Sequence, residues 1–169
     1  MEYKKARDYC VMLLLCRKAI DKAIVKARNK TTRKQVKMLR ELYTDFNPDE
    51  DSMFKASRQE LPYVEVRWGM PNDTFRLERP EAWLQCFREA LAIYKSIVGK
   101  KHYSMIAAHF TRNVDVQTLA IRHKITRSAI YQNFNTFKDI LLVVAAQKGL
   151  VTIEPNKAQD EQEGEKQDA

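Results

Sequence analysis

Apolar residues recur at helical spacing in the first part of the chain. Residues 3–30 contain neither Gly nor Pro, and residues 11–16 are apolar on every side. This pattern predicts a long helix whose apolar run is buried by other helices or by a second subunit. Thr31 and Thr32 indicate a break after it. A further helix over residues 33–46 is predicted by the apolar positions Val36, Leu39, Leu42, Tyr43 and Phe46.

The middle of the chain, residues 48–80, has a different pattern and holds four of the five prolines. Residues 62–68 alternate between apolar and polar in the way of a short strand. Residues 69–73 have the composition of a turn, and residues 74–77 can pair back on the strand. We therefore expect a linker that contains a small β-hairpin.

The helical pattern returns after the linker. Pro80 stands at a favoured first-turn position, Gly99 ends the stripe that follows it, and residues 101–110 repeat as a further helix. The sequence therefore predicts an all-α fold: long N-terminal helices and a C-terminal helical bundle, with a small β-hairpin in the middle. The predicted divisions are residues 1–47, 48–80, 81–150 and an acidic, disordered tail at 151–169.

Residues 114–137 are the most informative stretch, because they predict two helices that cross at a short turn. Ile125 is the apolar residue of the turn, and Thr126 can cap the second helix by accepting a backbone N–H two or three residues on. Residues 137–150 lengthen the second helix into an apolar segment. Two apolar sets face each other: Val116, Leu119 and Ala120 on the first helix, and Ala129, Ile130 and Phe134 on the second. We interpret this stretch as a helix-turn-helix.

The polar side of the second helix and the turn can reach phosphates and base edges if this helix enters a major groove. The predicted DNA-binding residues are Arg122, Lys124, Thr126, Arg127, Ser128, Tyr131, Gln132 and Asn135. Gln132 can pair with adenine, and Arg127 with guanine or a phosphate. Thr126 and Ser128 lie near a helix N-terminus, which suits a phosphate, and Arg122 and Lys124 are placed for phosphates. A merely solvated polar face is the alternative interpretation.

The spacing Leu119-Ala120, then residues 125–130 (Ile-Thr-Arg-Ser-Ala-Ile), then Phe134 resembles the pattern I-A-x-x-x-G-I-S-x-x-x-V-x-x-x-L of sigma-factor region 4 and related regulators. Lys124 stands where that pattern usually has Gly, and a positive φ at this turn position costs a non-Gly residue free energy. With its basic helical front half, the chain is also similar to small phage late-gene transcriptional regulators of the ArpU/RinA kind. This resemblance implies sequence-specific binding to duplex DNA at a phage or mobile-element promoter.

Charge is unevenly distributed along the 169 residues, whose net charge is +8. Residues 1–40 hold 13 Lys or Arg against three Asp or Glu, and residues 100–138 hold seven against one. The segment between them, residues 41–99, is acidic, with seven basic and 11 acidic residues. Basic blocks favour a polyanion as partner. The basic face of the first helix is either a phosphate-contacting or dimerising surface, or simply a solvated face.

Several chemistries are not indicated by the sequence. Cys10, Cys16 and Cys86 have no metal-ligand spacing, and His102 and His109 lie two helical turns apart without a carboxylate or thiol at ligand spacing. No phosphate loop or nucleophile triad order is present. We expect no enzyme activity, no cofactor and no metal. The apolar run from Cys10 to Cys16 is too short for a signal peptide, and no stretch of the sequence approaches the apolar length of a membrane helix. We therefore expect a cytoplasmic protein with reduced cysteines.

Two alternatives to a transcriptional regulator stay open. A DNA-packaging protein similar to a small terminase subunit also combines a helix-turn-helix with oligomerising helices, although its usual order places the DNA-binding part first. A sigma-like subunit would act only together with RNA polymerase. For the transcriptional regulator we expect a homodimer, both because such motifs are commonly found in dimers and because residues 11–16 are strongly apolar.

Overall fold

The structure is a computed structural model, and it describes residues 1–42, 60–69 and 73–154. Most of these residues are helical, and two short strands pair as an antiparallel sheet. In chain order the elements are α1 (Tyr3–Leu15), α2 (Arg17–Leu42), β1 (Tyr63–Arg67), β2 (Thr74–Glu78), α3 (Pro80–Arg112), α4 (Val116–His123) and α5 (Arg127–Gln147). The predicted helical residues 43–46 and most of the predicted acidic tail, residues 155–169, lie outside the described residues.

The chain divides into two compact units. The hairpin unit comprises residues 16–85, and the C-terminal unit joins residues 1–15 to the described chain from Cys86 onward. In the C-terminal unit α1 packs against α5, and both helices contribute fully buried leucines: Leu13, Leu14, Leu141 and Leu142. The apolar run is therefore largely buried within its own chain, and the homodimer stays a prediction.

A polar contact also joins α1 to α5 in the C-terminal unit. The Asp139 carboxylate accepts hydrogen bonds from the Tyr3 hydroxyl at 2.8 Å and from the Arg7 guanidinium at 3.0 Å. The N-terminus of the chain is also held in this unit, because the Met1 amine donates to the carbonyl oxygen of Thr152 at 3.0 Å. The first helix is thus held by the last one.

The hairpin unit is built on the two predicted strands. Val64 pairs with Leu77 and Val66 with Phe75, which puts apolar residues on one face of the sheet. Helix α2 packs against β1, and its buried residues are Ile20 and Ile24. The predicted hairpin in the middle of the chain is confirmed.

The predicted helix over residues 3–30 is wrong in its boundaries. The first helix ends at Leu15, Cys16 is a turn residue, and α2 then continues through Thr31 to Leu42 without a break. The Thr31 hydroxyl donates to the carbonyl oxygen of Ala27, four residues earlier, at 3.1 Å. A threonine with this hydrogen bond is compatible with a position inside a helix. A threonine pair without Gly or Pro does not end a helix here.

Gly99 interrupts α3, as the sequence predicts. Its φ of 80° and ψ of 175° are outside the helical region, although helical structure continues on both sides. A side chain at this φ would be strained, so glycine suits the position. The two parts of α3 are the helix predicted after Pro80 and the helix predicted over residues 101–110.

Candidate nucleic-acid interface

The chain enters α4 through a tight reversal at the end of α3. Asn113 has a φ of 56°, and the Val114 N–H donates to the carbonyl oxygen of Ala108 at 3.2 Å. Asp115 then caps α4, because its carboxylate accepts from the Thr118 N–H at 2.8 Å and from the Thr118 hydroxyl at 2.6 Å. These bonds lower the pKa of Asp115, with the hydroxyl of Thr118 as the larger cause. The start of α4 is fixed by local contacts alone.

A three-residue turn, Lys124 to Thr126, joins α4 to α5. Lys124 has φ 53° and ψ 50°, which is the left-handed conformation expected at the position where related patterns carry Gly. The Ile125 N–H donates to the carbonyl oxygen of Ala120 at 3.2 Å and closes the end of α4. The Thr126 hydroxyl accepts from the Ala129 N–H at 3.2 Å, so the predicted cap of α5 is confirmed.

Aromatic rings fill the space between α3 and α5. Phe134 contacts Phe110, with 5.4 Å between ring centroids, and stacks on His109 at 4.3 Å. Phe137 lies 5.4 Å from Phe110 and meets Tyr94 edge-on at 5.6 Å. The other four rings of this cluster are buried: Tyr94, Phe110, Phe134 and Phe137. This cluster fixes which side of α5 faces the core.

Tyr94 and Asn133 form a polar contact that the sequence did not reveal. The Tyr94 hydroxyl donates to the Asn133 side-chain oxygen at 3.0 Å, and the Asn133 amide nitrogen donates to the carbonyl oxygen of Ala129 at 2.7 Å. Burial raises the pKa of Tyr94 to about 12, so the phenol keeps its proton for this bond. Tyr94 and Asn133 are 39 residues apart in the chain, and only the three-dimensional packing brings them together.

All eight predicted DNA-binding residues are exposed. Arg122 lies near the end of α4, Lys124 and Thr126 are in the turn, and the others lie on the first turns of α5: Arg127, Ser128, Tyr131, Gln132 and Asn135. On the same helix Ile130 and Phe134 are buried. Tyr131 is 54% exposed although its ring meets Phe134 edge-on at 6.1 Å. We call this exposed set, from the end of α4 through the turn to the first turns of α5, the α5 face.

Cations lie near His123 at the end of α4, next to the turn. Partial burial lowers the pKa of His123, and the nearby cations Lys101 and Arg122 lower it further, followed by His102. The end of α4 therefore lies in a positive potential to which α3 also contributes. An anion would relieve this repulsion, and a phosphate is the anion that duplex DNA supplies.

Comparison of the chain with known family models, curated proteins and solved structures finds no match.

Other chemistry has little support in the described part of the chain. Burial raises the pKa of Cys10 and Cys86 to about 12 and of Cys16 to about 11, so these thiols are protonated at neutral pH. No group of three or more His, Cys, Asp and Glu residues within residues 1–42, 60–69 and 73–154 is arranged to hold a metal ion. Among the helices described, none has the length and apolar character needed to cross a membrane.

Proposed function

We propose that the chain is a sequence-specific DNA-binding transcriptional regulator. In this proposal α4, the turn and α5 act as a helix-turn-helix, supported from behind by α3. Helix α5 enters the major groove of duplex DNA with its exposed face toward the bases. The resemblance to phage late-gene regulators suggests a promoter of a phage or mobile element as the site of action.

The observation that carries the proposal is the division of α5 into two sides. Arg127, Tyr131 and Asn135 are exposed along one side, whereas Ile130 and Phe134 are buried on the other. Residues 127–135 span about 12 Å of helix at 1.5 Å per residue, and the major groove is about 12 Å wide. The exposed side therefore offers several hydrogen-bonding side chains over the length of helix that a groove can contain.

The roles of the side chains follow from their chemistry. The Gln132 amide can donate to and accept from adenine, and the Arg127 guanidinium can donate two hydrogen bonds to guanine. The Thr126 hydroxyl accepts from the Ala129 N–H, and its own hydrogen remains able to donate to a phosphate oxygen. Arg122 and Lys124 supply positive charge that binds the phosphate backbone of the DNA without selecting a base sequence.

The test is a selection of duplex fragments by the purified full chain from a random library at two salt concentrations, with R127A/Q132A alongside. A discrete selected motif that the double variant no longer prefers supports the proposal. Salt-sensitive binding without any preferred motif argues for a sigma-like subunit that requires RNA polymerase. Mass measurement of the bound complex tests the homodimer, and a large closed ring would favour the packaging protein.

A further inference from the structure

Helix α2 carries a long row of cations on one side. Seven basic residues recur at intervals of three or four and all are exposed: Lys18, Lys22, Lys26, Lys30, Arg33, Lys37 and Arg40. At 100° per residue they fall within an arc of about 120°. We call this row the α2 stripe.

The side of α2 opposite the stripe is fixed within the hairpin unit. Ile20 and Ile24 are buried there, and α2 packs against β1. The Arg28 guanidinium also forms an ion pair with the Glu81 carboxylate at 3.1 Å. These contacts settle the rotation of α2 about its axis, so the stripe faces away from the hairpin.

Little negative charge balances the stripe. Helix α2 holds ten Lys or Arg residues, and its only acidic residues are Asp21 and Glu41. Of the stripe residues, Lys37 alone forms an ion pair with another described residue, at 3.8 Å from Glu41, and both side chains are more than 60% exposed. Like charges four residues apart repel one another on a helix, as Lys18, Lys22 and Lys26 do. An external polyanion would remove this repulsion.

We propose that the α2 stripe binds the phosphate backbone of duplex DNA and does so without selecting a sequence. The inference rests on the proposed function, because DNA is the polyanion that the α5 face is proposed to read. From Lys18 to Arg40 the helix rises about 33 Å, close to the 34–36 Å of one turn of B-DNA. Lysine and arginine side chains along this length can contact phosphates on both sides of a groove.

A lipid surface is less suited to the stripe. Helices that lie in a membrane interface bury a broad apolar face of Trp, Phe and Leu residues. On α2 the residues Ile20 and Ile24 are packed in the hairpin unit. The exposed large apolar residues of this helix are Val25, Met38 and Leu42, and it contains no Trp or Phe. The stripe contains only charged side chains, which match a line of phosphates.

A second contact of this kind has a defined effect on binding. Each phosphate neutralised by a cation releases counterions. The slope of the logarithm of the binding constant against the logarithm of the salt concentration therefore becomes steeper by about 0.9 unit per contact. The α2 stripe would therefore increase affinity for any duplex and leave the choice of sequence to the α5 face.

The experiment removes four stripe charges in the full chain, K22Q/K26Q/R33Q/K37Q. A control, K4Q/K5Q/R67Q/R88Q, removes four exposed charges elsewhere and gives the same net charge. Glutamine favours helix about as well as lysine does, and circular dichroism verifies that both variants fold. Should the fourfold variant lose helix content, the pairs K22Q/K26Q and R33Q/K37Q are measured separately. Binding to a labelled random-sequence duplex of 20 base pairs is measured by fluorescence anisotropy between 50 and 300 mM salt.

The expected result is a salt slope shallower by about two to four units in the stripe variant, against less than about one unit in the control. A slope equal to that of the parent chain overturns the inference. The variant R127A/Q132A separates the two proposals. If it binds the random duplex as the parent does and shows no loss at any motif, the proposed function fails while the stripe can still stand.

A vesicle arm tests the other class of polyanion. Sedimentation with vesicles of phosphatidylserine and phosphatidylcholine is performed with the parent chain and the stripe variant. Vesicle binding that the stripe variant loses, together with unchanged DNA binding, would assign the stripe to a lipid surface and overturn the inference. Absence of vesicle binding by the parent chain, with the expected change in salt slope, supports it.

Discussion

The imidazole ring of His109 stacks on the ring of Phe134, with 4.3 Å between their centroids and 23° between their planes. Nδ1 of the same imidazole lies 2.9 Å from the carbonyl oxygen of Val114, to which the tautomer with hydrogen at Nδ1 donates. One side chain of α3 therefore contacts both the connection before α4 and the core side of α5. This contact is one of several that hold the core side of α5.

Replacement of His109 by alanine should lower the free energy of unfolding by about 2 kcal/mol, from the lost ring stacking and the lost hydrogen bond. Urea denaturation measures the change. His102→Ala is the matched control, because Nδ1 of His102 lies 3.2 Å from the carbonyl oxygen of Val98 in the same helix, and its cost should stay below about 1 kcal/mol. Equal losses in the two variants would mean that the stacking on Phe134 contributes nothing.

Two substitutions of Lys124 separate the effect of backbone strain on stability from the effect of charge on DNA binding. Lys124→Gly should raise the free energy of unfolding by about 1 kcal/mol, since glycine adopts a φ of 53° without steric cost. Lys124→Ala keeps the strain and should leave stability nearly unchanged. Both variants lose one cation, so both should weaken binding to every DNA sequence alike and flatten the salt slope by about one unit. A different effect on DNA in the two variants would argue that the turn conformation, rather than the charge, governs binding.

His123 should make the protein less stable in mild acid. Partial burial and the neighbouring cations lower the pKa of His123 in the folded state below its ordinary value of 6.5. The unfolded chain then binds more protons, so the contribution of His123 to stability is complete above about pH 6.5 and declines as the pH falls. Thermal unfolding at pH 7.5 and 5.5 should therefore show a smaller difference in His123→Gln than in the parent chain. An unchanged difference would show that other groups cause the pH dependence.

Arg127 and Gln132 should carry the discrimination between bases. Arg127→Ala is expected to cost about 1–3 kcal/mol at the base pair that it contacts and little on random DNA. Competition between the selected duplex and single base-pair variants of it measures this cost. Thr136→Ala is a suitable control, because the Thr136 hydroxyl donates to the carbonyl oxygen of Gln132 within α5. If Arg127→Ala discriminates between bases as the parent chain and Thr136→Ala do, the assigned face is wrong.

Features that depend on neighbouring residues could be predicted from the sequence. The Thr126 cap needs only the Ala129 N–H three residues on, and the interruption of α3 needs only the freedom of Gly99. The alternation of apolar and polar residues over 62–68 likewise predicted the first strand of the hairpin, in which Val64 and Val66 are buried. Each of these signals is contained within a few residues, so one sequence suffices to detect it.

Features that depend on distant residues could not be predicted. The contact of Arg7 with Asp139 joins positions 132 residues apart, and no pattern in the sequence predicts it. The end of α1 at Leu15 belongs to the same class, because the apolar run continues through Cys16 and carries no breaker. At the α5 face, exposure follows from helical spacing, whereas the support of Asn133 by Tyr94 requires the packing of α3 on α5.

The central claim, that the α5 face enters the major groove, is tested most directly by site-specific crosslinking. A photoreactive p-benzoyl-phenylalanine replaces Tyr131 in one sample and Val143 in another, and both native side chains are more than half exposed on the same helix. Each protein is irradiated with the duplex selected by the parent chain. We expect crosslinks from position 131 to bases within the selected motif and none from position 143. Crosslinks from position 143 alone, or no crosslink at position 131 in a protein that binds the duplex, would contradict the claim.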